Sequence, residues 1–200
     1  MKKLEFFFDY SSPWTYLAST RIEDIARRHN AQLVWRPFLV GGVFNAVNPS
    51  VYQSREHPVV PKQRYYGKDM QDWARYYGIT LKLPAINVAA VKVVNTLRGA
   101  YVAEEHGRIA QYSHRAFESF WVEGRDIGSP EVIAEIAREA GLDGAELLEK
   151  INQPQYKEKL RAATQELIDR GGFGSPTFFV DGNLFFGNDR LALVEFELSR

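Results

Sequence analysis

Two serine–proline pairs and one asparagine–aspartate pair carry most of the chemistry this sequence offers. Ser12-Pro13 follows the run Phe6-Phe7-Phe8-Asp9-Tyr10. Ser is a preferred helix cap, and Pro suits the first helical position, where its missing N–H is no loss. The Ser12 hydroxyl then sits beside free backbone N–H groups at the positive end of a helix dipole. That place favours an anion such as a thiolate or carboxylate. The same residues also serve if Ser12 merely caps the helix. Ser175-Pro176 leads into Thr177-Phe178-Phe179-Val180. Pro176 reads as a strand-leading residue, or as a cis proline that offers the Ser175 backbone to an extended peptide. In Gly187-Asn188-Asp189-Arg190, either Asn188 or Asp189 reads as the cap of a last helix.

Other chemistries are excluded by what the chain lacks. It has no cysteine, which removes disulfides, a thiol nucleophile and thiolate metal sites. Its four histidines show neither a catalytic partner pattern nor metal-ligand spacing, so no metal is expected. His57 falls in a loop and reads as solvated. Without G-x-S-x-G or G-x-G-x-x-G, a serine hydrolase and a dinucleotide site have no support. The 25 basic residues equal the 25 acidic ones, which argues against nucleic acid or an anionic membrane as partner. No stretch is apolar enough for a signal peptide or membrane span, so a cytoplasmic location is expected.

The elements that must position these groups follow from periodicity. The Leu4 and Phe6–Phe8 run is too short for a helix and reads as a strand covered on both faces. A helix over 13–29 with an apolar stripe of Leu17, Ile22 and Ile25 ends at Asn30, and Leu33 to Phe38 reads as a second strand. Strand, helix and strand in so short a span make a right-handed βαβ unit with parallel strands. Between 40 and 62, Gly41-Gly42, Asn48-Pro49 and Pro58 mark a long irregular connection. Helices are expected over 64–77, 87–105, 109–123, from Ser129-Pro130 to Gly141, 145–152 and 154–170. Their aromatic stripes, including Tyr65, Trp73 and Tyr77, read as core. Asp181-Gly182 between two apolar runs signals a hairpin before the last helix. With 45% hydrophobic residues, 200 residues suffice for a real core.

A βαβ unit before a helical block and a ββα unit after it resembles the thioredoxin arrangement. The fold class is therefore α/β, with a thioredoxin-like core over 1–40 and 171–200. Residues 41–170 form the connecting loop and an inserted all-helical domain. Ser12-Pro13-Trp14-Thr15 stands where thioredoxins and DsbA-type oxidoreductases carry C-x-x-C, and with both sulfur positions hydroxylic, disulfide exchange is not available. The whole chain resembles the 2-hydroxychromene-2-carboxylate isomerase family and the related kappa-class glutathione transferases. Phe8-Asp9-Tyr10-Ser11-Ser12-Pro13, Arg36-Pro37-Phe38 and Trp73-Ala74-Arg75-Tyr76-Tyr77-Gly78 carry that resemblance. Gly174-Ser175-Pro176-Thr177, Val180-Asp181-Gly182 and Phe186-Gly187-Asn188-Asp189-Arg190 complete it, in the family's order.

The resemblance implies a glutathione-dependent isomerase of aromatic catabolism, such as that of naphthalene. Ser12 is then the catalytic serine, donating to the sulfur of bound glutathione. Pro13, Ser175 and Pro176 help to hold the cofactor. Asn188 and Asp189 take its γ-glutamyl end, and Asn48, with Asn45 as rival, takes its glycyl end. The thiolate adds to the conjugated substrate, the ring opens, a bond rotates and the thiolate leaves, giving a trans-o-hydroxybenzylidenepyruvate. Trp14 and Asn87, with Tyr65 and Tyr66, are candidates to line the aromatic substrate pocket. A homodimer is implied as well. A kappa-like transferase and a non-catalytic thioredoxin-like binding module are the alternatives.

Overall fold

Strand β1 (Lys3–Phe8) lies mid-sheet because its side chains are apolar toward both faces. Phe6 and Phe8 join one core cluster and Phe7 the other, as the two-residue period of a strand requires. All three rings are fully buried in the computed structural model, which describes residues 1–82 and 92–200. Each stabilises the fold by roughly 1.5–3 kcal/mol. β1 pairs in parallel with β2 (Gln32–Pro37) and antiparallel with β3 (Thr177–Val180), which pairs antiparallel with β4 (Asn183–Phe186). Among the described residues the order is β2-β1-β3-β4. Helix α1 (Pro13–Arg28) joins the parallel pair, and Asn30 beyond it takes the positive φ expected of a C-terminal stop. The β3–β4 turn places Asp181 and Gly182 both at positive φ, which is what a tight two-residue hairpin demands.

The stretch 40–62 is not irregular. It folds into α2 (Val40–Val47), α3 (Ser50–Glu56) and the first turn of α4 (Val60–Tyr77). Local propensity there is poor, and the support comes from elsewhere in the chain. The Val40 N–H donates to Asp9 Oδ2 at 2.9 Å and the Leu39 N–H to Thr164 Oγ1 at 3.0 Å. These satisfy helix-end donors that no neighbouring side chain caps. Val43 is buried with Phe7, Phe38, Leu167 and Phe179 in the smaller core cluster. Along α4, Met70 and Ala74 are buried, whereas Tyr65 and Tyr76 are exposed, so the aromatic stripe is only partly core.

The rest of the helical block comprises α5 (Val94–Glu105), α6 (Ile109–Trp121), α7 (Pro130–Glu139), α8 (Gly144–Lys150) and α9 (Pro154–Asp169). α5 starts later than the expected 87, since Val93 is still in a turn; Asn87 itself lies outside the described residues. A short 3-10 turn, Asn188–Arg190, leads into α10 (Leu191–Ser199). Neither Asn188 nor Asp189 caps it. Arg190 holds the cap position without a side-chain bond, and Asp189 pairs with Arg190 instead.

One continuous core cluster runs from the sheet into α5, α6 and α7. The indole of Trp121 donates to Tyr10 O at 2.9 Å, and the Tyr10 and Ser113 hydroxyls are 2.9 Å apart. On the other face, Arg170 bonds Glu5 at 2.7 Å and lies 3.6 Å over the Phe179 ring. Burial alone pushes the Glu5 carboxyl up. The hydrogen bonds and charges of Arg170 and Lys3 overcome that and hold it below its usual range. No described helix is long and apolar enough to cross a membrane.

Candidate active site

The β1–α1 junction builds the site's floor. Ser12 is the N-cap of α1: the Thr15 N–H donates to its Oγ at 3.3 Å, and Pro13 fills the first turn. The Ser12 hydroxyl also donates to Ser175 O at 3.2 Å, across the junction to the segment before β3. The Ser175-Pro176 bond is cis. Ser175 is held by its own side chain, whose Oγ accepts from the Asp9 N–H at 3.1 Å and lies 2.7 Å from Thr15 Oγ1. Among the described residues no hydrogen bond engages the Ser175 N–H. The Ser175 carbonyl therefore meets the Ser12 hydroxyl, and the Ser175 N–H is left without a bond among the described residues.

Beneath this floor lies Asp9, a fully buried carboxylate. Its Oδ1 accepts from the N–H and the hydroxyl of Ser11 at 2.8 and 2.7 Å, and its Oδ2 accepts from the Val40 N–H. Burial pushes its pKa above the usual value, while the bonds from Val40 and Ser11 pull the other way.

In front of Ser175 and Pro176 is a cleft of about 250 Å³, walled by Trp14, Asp69, Trp73, Phe186, Gly187, Asn188 and Asp189. Ser12 stands behind this wall and reaches it through the Ser175 carbonyl. A neighbouring cleft of about 440 Å³ shares Trp73, Asn188 and Asp189 and continues past Arg21 and Tyr77. The larger of the two falls by itself in the size range of small-molecule sites, roughly 300–1,000 Å³, and the smaller adjoins it through the shared wall. Asn188 is 3% exposed, and its Nδ2 makes no well-formed hydrogen bond among the described residues, although the side chain is near enough to the Tyr77 phenol to oppose the upward push of burial there. A buried donor without a partner is costly, and a ligand acceptor would relieve it. Gly187 has φ 101°, and a Cβ there would lie 2.5 Å from Asp189 Oδ1, so only glycine lets Asp189 sit as it does.

Residues 3–199 match the DSBA-like thioredoxin domain family. The 2-hydroxychromene-2-carboxylate isomerase of Sphingobium xenophagum is 30% identical over 194 residues, covering 97% of this chain and 96% of that protein. The chain belongs to the DsbA-like 2-hydroxychromene-2-carboxylate isomerase family. A solved structure of a 2-hydroxychromene-2-carboxylate isomerase superposes with a TM-score of 0.85 at 27% identity, covering 99% of this chain and 95% of that one. The glutathione S-transferase kappa 2 of Caenorhabditis elegans is 28% identical, covering 96% of this chain and 90% of that protein.

Within this DsbA-like family frame, the sequence-derived residues divide into two groups. Ser12, Pro13, Trp14, Ser175, Pro176, Asn188 and Asp189 converge on or beside one cleft. Asn48 lines neither cleft: its Nδ2 donates to Phe173 O at 3.1 Å and its Oδ1 accepts from Ser50. Asn45 instead accepts from the exposed Tyr52 hydroxyl. Trp14 donates from its indole to the Tyr66 hydroxyl at 3.0 Å, while Tyr65 does not line the cleft. Asp69 belongs to none of the sequence motifs, and Trp73, part of the Trp73–Gly78 motif, reads as core from its spacing; both wall the cleft. Positions 66, 69 and 73 share a helix face, from which Asp69 and Trp73 reach this cleft while Tyr66 meets Trp14 instead.

Proposed function

We propose that this protein is a glutathione-dependent isomerase that converts 2-hydroxychromene-2-carboxylate-type acids into trans-o-hydroxybenzylidenepyruvate-type products. The observation that supports it best is the Ser12 hydroxyl, 3.2 Å from the Ser175 carbonyl at the mouth of a helix with no acidic residue in its first turn. That bond is long for O–H···O, so the hydroxyl is lightly held and can turn to a stronger acceptor. A thiolate is one.

The residues present fit glutathione by their chemistry. When bound, glutathione supplies a thiolate that adds reversibly to the conjugated substrate, so that a double bond becomes free to rotate. Ser12 donates to that sulfur and favours thiolate over thiol. A charge-assisted hydrogen bond of about 1.5–3 kcal/mol lowers a thiol pKa by roughly one to two units. The Ser175 N–H and C=O suit the peptide-like middle of the cofactor. The unpartnered Asn188 amide suits its γ-glutamyl carboxylate, and the Asp189 carboxylate its ammonium. Trp14, Trp73 and Phe186 give the flat substrate an apolar wall that keeps water from the reacting bond. A homodimer and the split into a thioredoxin-like part and a helical insertion belong to the same reading.

Calorimetry with millimolar glutathione tests the cofactor, and a hydroxychromene carboxylate offered beside a chlorinated aromatic electrophile tests the reaction. Binding with isomerisation is expected. Turnover of the electrophile alone would favour a kappa-like transferase, and absence of binding a non-catalytic module.

A further inference from the structure

A second cleft opens on the far side of Trp14. It has a volume of about 430 Å³ and lies between the end of α3 and the start of α4, with Arg55, His57, Lys62 and Tyr66 among its walls. Tyr66 joins the two sides. Its hydroxyl accepts the Trp14 indole N–H at 3.0 Å, and the rings meet edge-on with centroids 5.4 Å apart. Trp14 in turn walls the cleft in front of Ser175 and Pro176. One aromatic pair thus separates the candidate reaction cleft from a basic one.

The charge in this second cleft is uncompensated. No carboxylate lines it among the described residues. Further along α4, Lys68 and Arg75 are both paired with Asp72. Among the described residues Arg55 and Lys62 have no ion pair. Arg55 is also positioned: its guanidinium lies 5.8 Å over the Phe44 ring, which itself meets Tyr52 edge-on. Its charge reaches the Tyr66 phenol, where it opposes the upward push of burial. Two cations beside an aromatic wall, one of them held over the Phe44 ring, match an organic acid with one carboxylate and a flat ring.

We propose that Arg55 and Lys62 form the carboxylate subsite for an aromatic acid substrate, whose ring passes the Trp14–Tyr66 pair toward Ser175 and Pro176. This rests on the isomerase reading and adds the place where the acid group is held. It also sets a specificity: the acid is preferred over its neutral amide because the site supplies charge, not only shape.

The test uses salicylate as an unreactive aromatic acid and salicylamide as its neutral counterpart, titrated into the wild type and the Arg55→Ala/Lys62→Ala double variant. Both substituted residues are exposed, and a thermal melt confirms that the variant folds. Salicylate should bind the double variant about tenfold or more weakly, with salicylamide binding unaltered and glutathione affinity unchanged. In turnover, KM should rise while kcat is kept. Salicylate that fails to bind the wild type, binds both proteins equally, or loses affinity only in step with salicylamide would overturn the subsite. Glutathione and γ-glutamylcysteine form the second arm. Weakened binding of glutathione alone would assign the cations to a glycyl carboxylate and overturn the substrate assignment. Charge-dependent salicylate binding in a protein without isomerase activity would keep the subsite and remove the reaction.

Discussion

Helices α1 and α7 begin with the same two residues, Ser then Pro, and at α1 the next residue, Trp14, walls the cleft in front of Ser175 and Pro176. Ser12 and Ser129 both accept a hydrogen bond from the N–H three residues on, at 3.3 and 3.4 Å. Their hydroxyl hydrogens go to different places. Ser129 donates to Glu131 Oε2 at 2.5 Å, within its own first turn, and holds that carboxyl below its usual pKa. Ser12 has no acidic residue in its first turn and donates across the chain to Ser175 O. A cap serine in this molecule therefore already steadies an anion. At α7 the anion is built into the chain, whereas the first turn of α1 has none, and the proposed thiolate would take that place. What lies opposite the cap decides the chemistry.

The comparison breaks most readily at the two hydroxyls. Ser12→Ala should lower isomerase turnover by about ten- to a thousandfold in steady-state assays, and Ser129→Ala should leave it unchanged. Equal effects would reduce Ser12 to a structural cap. Next in size is Ser175→Ala, which strips the buried Asp9 N–H of its acceptor. It should cost about 1–3 kcal/mol of stability in urea titrations. Stability then sharpens the pair, because either cap substitution should cost about 1 kcal/mol, the helix-capping role being common to both.

The smallest effect concerns pH. Folding raises the Asp9 pKa, so this residue favours the folded state while protonated and loses that contribution as pH rises from about 3.8, its ordinary value, through the higher folded one. Asp9→Asn cannot titrate. The stability advantage of wild type over Asp9→Asn should therefore shrink as pH rises through the acid range, measured by urea titration at stepped pH. A constant difference would mean that burial does not act on this carboxyl.

Much of this was legible because local chemistry agreed with the global fold. The Phe6–Phe8 run, the Ser12-Pro13 and Ser129-Pro130 caps, the Gly78 and Asn30 stops and the Asp181-Gly182 turn each involve residues a few positions apart. Periodicity and capping act over that range. What stayed hidden was set at long range. Helix α2 carries two glycines and no local cap, and its first N–H groups are satisfied by Asp9 and Thr164, 31 and 125 positions from the residues they bond. Asn188 reads as a cap from its neighbours, yet it is buried against the clefts with its amide unpartnered. Asp69 belongs to no motif and becomes visible only once α4 is laid beside α1.

Asp9 has a consequence for any attempt to shorten this chain. One carboxylate grips the turn before Ser12 with one oxygen and the start of α2 with the other. Excising the chain from α2 onward to obtain a minimal thioredoxin would take away one of that carboxylate's three donors, and the turn that carries Ser12 would loosen with it. The helical segment is a structural partner of the Ser12 turn, not a detachable accessory.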